Sequence, residues 1–174
     1  MENMENKHSN PHSHEQSGKH SGHSSMAMYK RFAVMAVLMF AAMYIIMYSM
    51  IDGLQNLIPN LNNFYMTLLM ISAMLLIELF VMKSMYVNKK INWAIIIISA
   101  IAGMFSWFGI REQLSVGEKQ FIKGMIPHHA AALLMSEKAH LTDPELIELQ
   151  KNILKTQSEE IEFMKRKLKE YENK

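Results

Sequence analysis

Three long apolar stretches dominate the chain, about Phe32 to Ile51, Phe64 to Met82 and Trp93 to Ile110, with polar segments before and after them. Each approaches the roughly 20 residues that a helix needs to cross a bilayer. They predict three transmembrane helices. The first lies behind a long polar tail, exceeds a signal-peptide core in length and has no small-residue cleavage site after it, so it is expected to stay as an anchor. Lys30 and Arg31 precede the first stretch, Lys83, Lys89 and Lys90 separate the second from the third, and the connection from Asp52 to Asn63 contains no Lys or Arg. The positive-inside rule then sets the amino terminus in the cytoplasm and everything after the third span outside, on a multi-pass protein of the cytoplasmic (inner) membrane. Arg111, Lys119 and Lys123 oppose this orientation without outweighing it. Tyr and Trp residues near the span ends, such as Tyr29, Tyr86 and Trp93, suit the membrane interface.

Beyond Ile110 the pattern turns charged and amphipathic, and it predicts a helical hairpin. Its first helix is expected from about Ser115 to His140, with Gly124 and Pro127 as a kink or start. Thr142-Asp143-Pro144-Glu145 reads as the next helix start, with Thr142 or Asp143 as the cap. The second helix should run to about Tyr171. Its inner seam repeats every seven residues at Ile147, Leu154, Ile161 and Leu168, interleaved with Gln150, Gln157 and Met164. The expected organisation is all-α: a disordered tail over 1–28, a three-helix membrane region over 29–112 and a soluble hairpin over 113–174.

The tail adds metal chemistry to this outline. It is poor in large apolar residues and carries His8, His12, His14, His20 and His23 among Ser, Gly, Asn and Lys. Such a tract gathers Zn(II), Cu(II) or Ni(II) loosely, or is simply a solvated tail. Composition narrows the rest. A formal net charge of +2 over 174 residues gives no electrostatic case for nucleic acid as a partner. With no cysteine, thiolate sites, disulfides and cysteine nucleophiles are excluded, so any sulfur ligand must come from the 18 methionines.

The densest candidate chemistry lies in Phe121-Ile122-Lys123-Gly124-Met125-Ile126-Pro127-His128-His129, followed by Met135. On a helix Met125 and His129 are one turn apart, and His128 and Met135 about two. Thioether sulfur with imidazole nitrogen suits Cu(I) or Ag(I) better than Mg(II), Ca(II) or Mn(II). The competing reading makes the methionines core filler and one histidine a hydrogen-bonded cap. Gln157 on the facing helix is a candidate to orient a histidine ring, with Glu160 close behind it, as outer groups orient metal-bound histidines. A polar seam residue equally serves register or oligomer state.

Methionines also recur every fourth residue at Met35, Met39, Met43 and Met47, and at Met66, Met70, Met74 and Met82 with Glu78 in the missing step. These rows read as packing ridges first and as soft-metal stepping sites second. Glu78 needs a partner inside its span, and Lys83 or Lys90 lie within reach.

The last third of the chain resembles the bacterial domain of unknown function 305. That pattern has an aromatic residue, Met-Ile-Pro-His-His, a methionine six residues after the second histidine, and Gln-x-x-Glu-Ile-x-x-Met on the next helix. Here these are Phe121, Met125 to His129, Met135, and Gln157-Ser158-Glu159-Glu160-Ile161-Glu162-Phe163-Met164. Glu118 stands where an Asp is frequent and Lys167 where a tryptophan is common. The resemblance implies a ferritin-like bundle, of which this hairpin would be half. It also implies copper or silver binding at Met125, His128, His129, Met135 and Met164.

Three functions follow as expectations. The first is a membrane-anchored protein that captures Cu(I) or Ag(I) for copper homeostasis or tolerance, releasing it below about pH 6 because ligation needs neutral imidazole. It would work with a metal transporter or metallochaperone and pair as a homodimer through the hairpin, since a lone hairpin is a thin domain. The second is an interaction subunit of a membrane transporter complex with no metal of its own. The third, a ferritin-like di-metal oxidase, has only Glu137-Lys138-Ala139-His140 and Glu160 in its favour and would need a dimer. No catalytic residue is assigned.

Overall fold

The computed structural model describes residues 17–173, with side chains from Met26 onward. Among the described residues there are five α-helices and no strand: α1 (Ser17–Ile46), α2 (Leu61–Val81), α3 (Lys89–Arg111), α4 (Glu118–Lys138) and α5 (Pro144–Glu172). Two short 3-10 turns, Met47–Met50 and Leu54–Asn56, join α1 to α2. Three segments, Met26–Met50, Leu61–Val81 and Lys89–Arg111, are long and apolar enough to cross a membrane. They match the expected stretches, beginning a few residues earlier and ending within one residue of the expected ends.

The helix starts are written in short polar caps. The Asn60 side chain accepts from the Asn63 N–H at 2.9 Å, and that of Asn88 accepts from the Lys90 and Ile91 N–H groups at 3.0 and 3.3 Å. Each satisfies amides that a first turn leaves without partners. The amino-terminal end differs from expectation, because α1 begins at Ser17, well ahead of residue 28. Once a helix is nucleated, each added residue contributes another backbone hydrogen bond, so the apolar span extends its helix back into the tail. His20 and His23 fall within α1, while His8, His12 and His14 lie outside the described residues.

α2 and α3 pack closely through small side chains. Buried Ser72, Ser99, Ser106 and Gly109 keep the backbones near each other, and a Cβ at Gly109 would meet the Tyr65 ring at 3.0 Å. Small residues at such contacts are how apolar helices associate where lipid removes the hydrophobic drive. α1 leans on α2 with its methionine row half-buried, and Met47 Sδ accepts from the Thr67 hydroxyl at 3.3 Å.

At the end opposite the hairpin, a polar network joins α1 to the α2–α3 turn. The Tyr29 hydroxyl donates to Asn92 Oδ1 at 2.7 Å, the Asn92 amide donates to the Tyr86 carbonyl at 2.7 Å, and the Tyr86 hydroxyl donates to Glu78 Oε1 at 3.0 Å. Glu78 is therefore held by Tyr86, not by the lysines that the sequence suggested. The turn folds the aromatic ring back over the end of α2, whereas exposed Lys83 and Lys90 remain in the polar zone. Burial first, and then the adjacent Glu78 carboxylate, push the Tyr86 hydroxyl up to about 12.

α4 and α5 form the expected hairpin around buried Ile122, Ile126, Ala130, Ile161, Met164 and Leu168. Asp143 caps α5, accepting from the Glu145 and Leu146 N–H groups at 2.9 and 3.3 Å, with Pro144 as the first residue. Replacing Asp143 with alanine should cost the hairpin about 1 kcal/mol, read as a lower midpoint in thermal unfolding. At the hairpin's open end the Tyr171 hydroxyl donates to Glu118 at 2.6 Å. That hydrogen bond to a carboxylate holds the phenol above its ordinary range.

The hairpin rests on the connection between the first two spans. Gln120 Oε1 accepts from the Leu61 N–H at 3.3 Å, Gln113 and Asn62 exchange side-chain amide bonds at 3.3 Å, and Gly124 faces Asn60 and Asn62. A Cβ at Gly124 would stand 3.3 Å from the Asn62 amide, so glycine permits this close approach. Ile51 and Ile58 pack against the hairpin core as well. The first connection and the hairpin therefore share one side of the three-helix unit, as an odd number of spans requires.

Candidate metal centre

The site is built on α4, where Pro127 lies inside the helix rather than at its start. Lacking an N–H, it leaves the carbonyl one turn before it without a helical donor. Pro127 and Ile126 are buried, which pins this turn against its surroundings. The register then sends the two histidines to different places. His129 is 9% exposed and lies in the α4–α5 interface, whereas His128 is exposed, with the ring centroids 6.2 Å apart.

Both ring nitrogens of His129 are engaged. Nδ1 stands 2.9 Å from the Met125 carbonyl one turn back, and Nε2 stands 2.8 Å from Glu160 Oε2 on α5. A carbonyl only accepts, so Nδ1 carries a proton and donates it. Nε2 pairs with the Glu160 carboxylate across the interface, an ion pair when the ring is protonated. The backbone anchor at Nδ1 fixes the ring and directs Nε2 at Glu160.

Glu160, rather than Gln157, makes the contact to the ring. Gln157 is half-buried in the seam, but Glu160 sits almost one turn further along α5, level with His129. The seam glutamine that does take a role is Gln150, whose amide donates to the Ala139 carbonyl at 3.0 Å and to that of Ser136. It closes carbonyls that the end of α4 leaves open.

The sulfur candidates divide in the same way. Met164 is buried in the seam and Met125 packs against the same cluster, close to His129 along the helix. Met135 is 55% exposed and lies on the flank with His128. The single chain thus gathers Met125, His129, Glu160 and Met164 at the helix interface and leaves His128 and Met135 outward. Among the described residues no group of three or more His, Asp or Glu side chains is placed to hold a metal ion. The Glu137-x-x-His140 element is not one helical motif, because α4 ends at Lys138 and His140 follows the break.

The model of the family described as "Domain of unknown function (DUF305)" matches residues 111–171, which is the hairpin with the end of α3. The chain is also similar to "Uncharacterized protein L153" of Acanthamoeba polyphaga mimivirus, with 35% identity over 107 residues, covering 60% of this chain and 68% of that one. No solved structure matches it. On the strength of the hairpin and this relative, the chain belongs to the DUF305 family.

Proposed function

We propose that the protein captures Cu(I) or Ag(I) at the hairpin, on the extracytoplasmic side of the cytoplasmic membrane, for copper homeostasis or tolerance. The observation that carries this is the His129 ring, whose Nδ1 is tied to the Met125 carbonyl and whose Nε2 is directed at the Glu160 carboxylate. That carboxylate oxygen occupies the place where a cation can sit. Met125 and Met164 supply soft donors from the same interface, and His128 and Met135 extend the set on the open flank. An ion bound at Nε2 would take the place of the contact to Glu160, and the carboxylate beside it would compensate its charge. The histidine-rich tail would act as an auxiliary, looser binder, and a metal transporter or metallochaperone as the recipient.

A second reading is favoured by the same pair. A ring with both nitrogens hydrogen-bonded is already satisfied without metal, as in an interaction subunit whose hairpin docks on a transporter. The two readings separate in an anaerobic Cu(I) titration of the full chain in detergent against a chromogenic chelator, with His128→Ala/His129→Ala alongside. Capture predicts that the wild type holds Cu(I) in competition and that the double variant loses this fraction, leaving only what the tail retains. Identical curves for the two proteins would leave the pair structural and favour the interaction subunit.

A further inference from the structure

Two faces of α4 are occupied. One packs on α5 through Ile122, Ile126 and Ala130, and another, carrying Gln120 and Gly124, rests on the connection before α2. At about 100° per residue, a strip of Phe121, Met125, His128, Ala132 and Met135 lies between them, about a quarter turn from the second face and somewhat over a third of a turn from the first. It follows the alternating three- and four-residue spacing of a helix-packing seam, and Phe121 is 54% exposed. α5 continues the same face with Leu146, Leu149 and Ile153 on the flank from which Glu160 reaches His129, and Leu149 is 53% exposed. Both helices therefore carry a second seam. A lone hairpin needs one seam per helix, whereas each helix of a four-helix bundle packs on two neighbours.

The strip is also complementary to itself. Phe121 and Met135 stand equally far on either side of His128, and Met125 and Ala132 nearly so. Laid antiparallel on a second copy, Phe121 meets Met135 in an aromatic–thioether contact, large Met125 meets small Ala132, and His128 meets His128. A two-fold interface demands such self-complementarity. Two copies sharing one membrane orientation are related by an axis along the membrane normal. α4 is seated side-on against the connection through Gln120 and Gly124, and a helix that runs along the membrane surface is set antiparallel to its copy by that axis.

We infer that a second copy of this chain covers the face, making a four-helix bundle in which the two His128 rings meet on the axis and share one Cu(I) or Ag(I) ion. Two imidazoles from opposite sides suit a soft monovalent ion, and the neighbouring Glu160 carboxylates add negative charge beside it. The shared ion rests on the capture reading, whereas the interface stands without it.

The test uses the full chain, which has no cysteine of its own. In the Phe121→Cys/Met135→Cys variant the new thiols are about 21 Å apart along α4, too far to join within one chain. Oxidation in liposomes without metal should give a covalent dimer, while Lys155→Cys, on the opposite side of α5, should not. Leu149→Lys, which keeps every proposed ligand, should sediment as a monomer and bind Cu(I) at least about tenfold more weakly. The wild type should hold one Cu(I) per two chains beyond what His128→Ala retains. Absence of the cross-link, with a monomeric wild type, overturns the interface. A cross-linked dimer with no Cu(I) at the hairpin supports the interface and overturns the shared ion together with the capture reading. One Cu(I) per chain, indifferent to Leu149→Lys, overturns the shared site and leaves capture standing.

Discussion

Replacing Ile126 with alanine is expected to destabilise the hairpin by about 2–5 kcal/mol, the range for deleting a large aliphatic side chain from a packed core. Ile126 is 0% exposed and sits between Met125 and Pro127, facing Ile161 and Met164 across the interface. The neighbours cannot collapse into the space freely, because Pro127 restricts the backbone at that turn and Gly124 is held against Asn60 and Asn62. Hydrogen exchange of α4 and α5 amides in detergent measures the effect locally. Protection should fall in both helices while that of α2 and α3 holds, since the two clusters of buried residues are separate. Loss of protection throughout the chain would mean instead that hairpin and spans unfold as one unit.

The second large effect separates sulfur chemistry from packing. In Met125→Leu/Met164→Leu the thioethers are removed at nearly constant volume, a swap that costs less than about 1.5 kcal/mol per site in most cores. If the methionines were only filler, Cu(I) binding would be unchanged. The capture account predicts a fall of at least tenfold, or about 1.4 kcal/mol, with thermal unfolding of the apo protein shifted little. Glu160→Gln gives the matching control on the oxygen side. It keeps the shape and a hydrogen-bonding partner for His129 but removes the negative charge beside Nε2.

Most of the architecture was legible because it rests on local rules. Continuous apolar runs mark the three spans, and the seven-residue repeat of Ile147, Leu154, Ile161 and Leu168 marks the hairpin seam. Asp143 before Pro144 marks the start of α5, and the cap forms as expected. What escaped depends on contacts between distant segments. Tyr86 reaches Glu78 only because the α2–α3 turn folds back, and no spacing rule favours it over Lys83. Glu160 displaces Gln157 at His129 because the relative height of two helices, set by their packing, decides which side chain is level with the ring. The end of α4 at Lys138 was also hidden, since Ala139 and His140 suit a helix by propensity, and the turn into Asp143 overrides them. The seating of α4 on the Asn60–Asn62 turn had a faint signal in Gly124, a glycine within an otherwise strong helix former.

The division of the histidine pair follows from the same geometry. Adjacent residues on a helix point about 100° apart, so one ring enters the seam while its neighbour stays outward. A sequence in which two histidines stand together therefore places them in different environments, one hydrogen-bonded and one open. Capture by a single compact cluster is not what this arrangement offers. Under the capture proposal, His128 and Met135 would hold a soft ion on one flank of α4 and Met125, His129 and Met164 at the seam.

The most direct measurement of that claim is X-ray absorption at the copper K-edge of the Cu(I)-loaded full chain, compared with His128→Ala/His129→Ala and with Met125→Leu/Met164→Leu. The account predicts mixed scattering, with a longer sulfur shell and a shorter nitrogen shell, the sulfur shell shrinking in the methionine variant and the nitrogen shell in the histidine variant. A spectrum of nitrogen and oxygen neighbours alone, the same in all three proteins, would contradict it and assign the bound copper to the histidine-rich tail.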